Sequence, residues 1–137
     1  MNREIKFKAI RKDGGGWAYG YLTHTQKHLP PCIHVGIVEV YEVIPETVCQ
    51  FTGLFDKNGK EIYANDLTID KDGNKTVVVW INEWAMFGCM FLDEFEEYIQ
   101  GGIKELDESM FWTFPIENES LEVIGSIHEG KETKGNG

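Results

Sequence analysis

Hydrophobic and polar positions alternate from Glu4 to Ile10, with Ile5, Phe7 and Ala9 on one side and Glu4, Lys6 and Lys8 on the other. This period of two predicts a half-buried strand. Asp13-Gly14-Gly15-Gly16 breaks the pattern before Trp17 to Leu22 resumes a β-rich run, so the opening reads as a hairpin. The glycines precede a strand and not a helix, which excludes a phosphate-cradling loop. Thr23 to Pro31 is polar and ends in two prolines that lack ladder donors, which predicts an extended loop. Ile33 to Ile44 is apolar and β-branched, with Glu39 and Glu42 its only charges. It predicts one strand covered on most of both faces and stopped by Pro45.

Val48 to Leu54 and Glu61 to Ile69 flank Asp56-Lys57-Asn58-Gly59, whose Asn-Gly pair tolerates the positive φ of a tight turn; together they predict a hairpin. Asp70-Lys71-Asp72-Gly73-Asn74 separates Leu67-Thr68-Ile69 from Thr76-Val77-Val78-Val79-Trp80-Ile81, the most β-prone stretch of the chain. Further on the period changes. Phe91, Leu92, Phe95, Tyr98 and Ile99 recur at helical spacing while Asp93, Glu94, Glu96 and Glu97 take the other side, predicting one short amphipathic helix that ends at Gly101-Gly102. Ile103 to Trp112 reads as a turn of helix and then a strand, and Leu121 to Ile127 as the last strand, with Leu121, Val123, Gly125 and Ile127 on one side. The predicted class is mainly β, a small antiparallel barrel or curled sheet with one helix, with α+β as the alternative. Residues 1–129 are expected to form a single domain and residues 130–137, small and polar, a flexible tail.

Composition narrows the functional classes. The 137 residues carry 13 basic and 23 acidic side chains, a net charge of -10, whereas a general nucleic-acid binder needs a basic footprint. From Asp93 to Glu129 eleven acidic residues face one base, Lys104, while Arg3, Lys6, Lys8, Arg11 and Lys12 make the start basic. Such runs commonly form solvated surface, but they also suit charge complementarity between copies or with a basic partner. Charges interrupt every apolar run before it reaches signal-peptide or membrane-span length, so export and membrane insertion are not expected. Cys32, Cys49 and Cys89 form no Cys-x-x-Cys pair and read as reduced, packed thiols of a cytoplasmic protein.

Candidate chemistry is sparse. His24, His28, Cys32 and His34 offer imidazole and thiolate to zinc, but their spacing matches no established site and Pro30-Pro31 stops any helix that would align them. Both Asp-rich turns lack the closing Glu of a calcium loop and read as turns. Cys49 has no catalytic signature around it, and Asp93 with Glu97 lies on the wet side of the helix, where nothing separates their pKa values for acid-base work. Trp80, Trp84, Phe87, Phe91 and Trp112 lack the basic groove of a nucleic-acid platform and read as core or subunit interface.

Four blocks resemble the YopX family in order: Arg3 to Ala9, Val43 to Leu54, Asp56 to Tyr63, and Leu121 to His128. The chain departs from that pattern at Cys49, where the family often has Gly, and at Ala64-Asn65-Asp66, where an acidic residue and Gly often precede the Asp. Asn accepts a left-handed conformation less readily than Gly, so the second departure bears on the bend entering the next strand. The resemblance implies a mainly β fold encoded by phages and integrated elements, and it carries over no catalytic or ligand-binding residue.

The expectation is therefore a non-enzymatic protein-interaction or self-associating domain, without catalytic residues, cofactor or metal. Its partner is a second copy or a host or phage protein, and Asp93, Glu94, Glu96 and Glu97 form the partner face. The alternatives are an acidic DNA mimic that inhibits a host nucleic-acid-binding protein, and a small metal-dependent enzyme.

Overall fold

A computed structural model describes residues 5–23, 30–102, 105–113 and 116–129. Among them the chain forms strands β1 (Phe7–Ile10), β2 (Trp17–Thr23), β3 (Cys32–Val35), β4 (Glu39–Glu42), β5 (Cys49–Phe55), β6 (Glu61–Tyr63), β7 (Asp66–Ile69), β8 (Lys75–Ile81), β9 (Met86–Phe91), β10 (Phe111–Thr113) and β11 (Glu122–Ser126). One α-helix, α1 (Leu92–Ile99), follows β9 directly. The class is mainly β, with two antiparallel sheets that curl without closing into a barrel. Residues 24–29 and 130–137, on which the expected loop and tail fall, lie outside the described residues, as do His24 and His28.

The chain divides into two compact units, residues 1–53 with 128–137 and residues 54–127, and the division falls inside β5. In the first unit the sheet runs β4-β3-β2-β1-β5. β1 and β2 form the predicted hairpin, with Phe7 opposite Gly20 and Ile10 opposite Trp17. One face buries Ala9, Ala18, Ile33 and Val43, with Phe7, Leu22, Val35, Tyr41 and Val48 around them. An Arg11↔Val43 bridge, together with the Ile44 N–H donated to the Ile10 carbonyl at 2.8 Å, returns the end of β4 to the end of β1 and curls the sheet.

The stretch from Ile33 to Ile44 is not one strand but the β3–β4 hairpin, with Cys32 opposite Glu42 and Val35 opposite Glu39. Gly36 sits at φ 70°, a left-handed conformation that β-branched neighbours resist, and it turns the chain there. Ile37 and Val38, expected under cover, are instead 99% and 85% exposed.

In the second unit the sheet order is β10-β9-β8-β7-β11. Adjacent valines on β8 point to opposite faces, as the strand period requires. Val78 joins Ile62, Cys89, Leu121 and Val123 on one side; Val77 joins Ile81, Met90, Phe95 and Phe111 on the other. Both faces are thus covered, which is why β8 reads as a continuous apolar run. The β7–β8 hairpin falls where predicted, Leu67 opposite Val77, and the Thr68 and Thr76 hydroxyls meet at 2.6 Å.

The expected returning strand from Glu61 to Ile69 is split at Ala64-Asn65 into β6 and β7. Asn65 sits at φ 69°, so the bend that the Ala64-Asn65 departure brought into question is made by Asn in the left-handed region. β11 also departs from simple alternation, because its register against β7 shifts between Val123 and Gly125 and leaves Ser126 buried.

Candidate functional site

Phe91, the N-cap of α1, supplies no side-chain hydrogen bond, and Asp93 and Glu94 place favourable charge near the positive end of the helix dipole. Its other end is closed by backbone. The Gly101 N–H donates to the Tyr98 carbonyl at 3.1 Å and the Gly102 N–H to the Glu97 carbonyl at 3.0 Å, with Gly101 at φ 83°. These paired bonds across a left-handed residue form a Schellman cap. Glu96 and Glu97 stand in the second half of the helix with no base in its last turn, where the dipole disfavours them. They add nothing to the local stability of the helix.

Of the predicted partner face, Asp93, Glu96 and Glu97 are exposed and Glu94 is half-buried. The apolar side differs from expectation. Phe95 is buried in the second unit's core and Leu92 packs at its margin, but Tyr98 is 40% and Ile99 62% exposed. With its few turns the helix sinks a single anchor, Phe95, and its last residues stay exposed. The resulting surface mixes carboxylates with a tyrosine and an isoleucine. At the start of the helix Asn74, Lys75, Phe91, Leu92, Asp93 and Glu94 line a hollow of about 330 Å³. Sequence reading missed Asn74, at the end of a turn, and Lys75, the first residue of β8, which the β8–β9 pairing of Thr76 with Phe91 brings beside the helix.

The remaining candidates are dispersed. Cys32 and His34 share one face of β3, where the Cys32 thiol donates to the Pro30 carbonyl and His34 Nε2 lies 3.0 Å from Thr23 Oγ1. Among the described residues no group of three or more His, Cys, Asp or Glu side chains is placed to hold a metal ion. Cys49 and Cys89 are buried, and burial pushes the Cys89 thiol up to about 12 against the opposing hydrogen bonds of Thr113 and Thr76. A thiol so protonated is no nucleophile at neutral pH. Trp80 is half-exposed and meets the edge of Phe87 at 5.0 Å, while Trp84 tilts against Phe111 at 5.6 Å.

Both Asp-rich turns turn out to be structural. Asp56 accepts the N–H groups of Asn58, Lys60 and Val123 at 2.8, 2.9 and 2.9 Å. Asp70 accepts those of Asp72 and Asn74 at 2.9 and 2.8 Å, and the Asn74 side-chain amide at 3.0 Å. Burial works against each charge, but the converging donors outweigh it and hold both carboxyls below the usual aspartate range.

A family model described as YopX protein matches residues 21–132, most of the chain. The chain belongs to the YopX family. No curated protein matches it. This YopX-family chain has no described helix long and apolar enough to cross a membrane.

Proposed function

We propose that this chain is a non-enzymatic protein-interaction domain of phage or prophage origin that works in the cytoplasm. Its α1 face receives a basic, partly apolar segment of a host or phage protein. The observation that carries this reading is the exposure of Tyr98 and Ile99 beside Asp93, Glu96 and Glu97. Carboxylates draw in a basic partner and set its orientation, while the apolar pair supplies contact area that salt does not screen. The hollow beside Phe91 and Leu92 has room for one partner side chain.

Affinity capture from the native host, before and after prophage induction, tests the reading. The Glu96→Lys, Glu97→Lys variant loses the captured protein and Ile99→Asp weakens it at least about tenfold, a loss on the order of one buried apolar anchor. Capture that survives both variants sinks the proposal.

A second reading rests on the second unit, which holds 16 of the 23 acids and 5 of the 13 bases, a net charge of -11. Such a surface suits an acidic mimic of DNA. The two readings separate by competition: duplex DNA displaces the partner of a mimic, and Ile99 contributes nothing to that partner's binding.

A further inference from the structure

The first unit has an exposed apolar surface of its own. Pairing places Tyr21, His34 and Val40 side by side across β2, β3 and β4, and Tyr19 lies two residues from Tyr21 on the same face. Tyr19, Tyr21 and Val40 are each about half-exposed or more, and the hairpin beyond them ends in the nearly bare Ile37 and Val38. Two adjacent β-branched side chains left in water at a hairpin tip do nothing for the fold, and β4 stands at the edge of its sheet.

Charge selects what covers this surface. The carboxylates around it are already engaged: Lys12 Nζ meets Glu42 at 2.7 Å, the Tyr41 hydroxyl donates to Glu39, and Arg11, stacked 3.7 Å over the Tyr41 ring, pairs with Asp13 at 2.6 Å. The first unit as a whole holds the other 8 bases and 7 acids, a net charge of +1, against -11 in the second. Two copies that meet through the second unit oppose like charges. Two that meet through the β3–β4 hairpin bring together a nearly neutral, apolar surface whose charges are matched within each copy.

We infer that the occupant is a second copy of the chain, and that the β3–β4 hairpin, with Ile37 and Val38 at its centre, is a two-fold dimer interface. Two-fold symmetry sets each tip against its own counterpart, so one apolar patch suffices for both sides. The inference goes beyond the α1 reading and does not depend on it.

Sedimentation of the full chain over micromolar to millimolar concentrations tests it. The 15.7 kDa monomer gives way to a species of twice that mass, and added salt does not reverse the change, because apolar contact is not screened. The Ile37→Asp, Val38→Asp variant stays monomeric with an unchanged circular dichroism spectrum, and Val40→Lys, on the sheet face, decides the matter should the tip variant misfold. Glu96→Lys, Glu97→Lys still dimerises, which separates this surface from α1. A wild-type monomer at every concentration, assembly of both hairpin variants like wild type, or growth beyond two copies overturns the proposal; a monomer would leave the patch to another protein.

Discussion

At the scale of single residues, the informative side chains are two aspartates that serve as turn cores. Asp56 and Asp70 occupy equivalent places in their hairpins, and in each the carboxylate gathers N–H groups that the tight turn leaves without ladder partners. Asp56 goes further and takes the Val123 N–H, which ties β11 to the turn. Asp56→Ala therefore strands three buried or half-buried donors and costs about 3 kcal/mol, more than Asp70→Ala, as read from urea midpoints. The pH dependence follows from the sign of the shifts. Both carboxyls sit below their unfolded values, so their stabilisation is complete above the ordinary aspartate value of about 3.9 and is lost as pH falls through the folded values. A urea series in acid should show Asp56→Asn flattening that decline; an unchanged slope would mean that the carboxylate contributes nothing. The turns were legible as turns from their Asn-Gly and Asp-Gly signals. That Asp56 is buried was not, because its Val123 contact spans 67 positions of sequence.

Elements were legible wherever periodicity and a breaker agreed. The β1–β2 and β7–β8 hairpins and α1 stand where alternation, a glycine or an Asn/Asp turn placed them. Two readings failed for physical reasons, and one strand went unread. The run from Ile33 to Ile44 looked like one covered strand because surface β-branched residues at the hairpin tip have the composition of a buried strand. The Asn65 bend carries no glycine, so a left-handed residue hid inside a strand-like run. β9, Met86–Phe91, is an apolar run too short for its period to separate it from the helix that follows. The exposed end of α1 was misassigned because helical spacing groups apolar residues on one side but cannot show which of them find a packing partner. The cap of that helix makes a prediction of its own. Gly101 holds φ 83° inside both Schellman bonds, so Gly101→Ala destabilises the chain by about 1 kcal/mol without altering the β signal, whereas Gly101→Asn costs less because Asn visits that region more readily. Equal losses for Ala and Asn in chemical denaturation would contradict the capping account.

Over the whole molecule the net charge of -10 conceals a division, +1 in one unit and -11 in the other. Repulsion within the second unit opposes compactness and keeps the second units of separate copies from meeting, and salt weakens both effects. Screening therefore raises the melting temperature while it lowers colloidal stability. Acid separates solubility from folding more cleanly. Near the sequence isoelectric point of about 4.8 the repulsion between second units vanishes, and the exposed Tyr98 and Ile99 are free to associate. Asp56 and Asp70 remain ionised at that pH, because their folded values lie below the ordinary 3.9 or so. Precipitation is thus expected before unfolding as pH is lowered: turbidity rises near the isoelectric point while circular dichroism of the redissolved protein stays native, and loss of structure follows only at lower pH. If the two transitions coincide, the buried aspartates do not hold the fold together in acid, and the charge partition is the stronger determinant of stability.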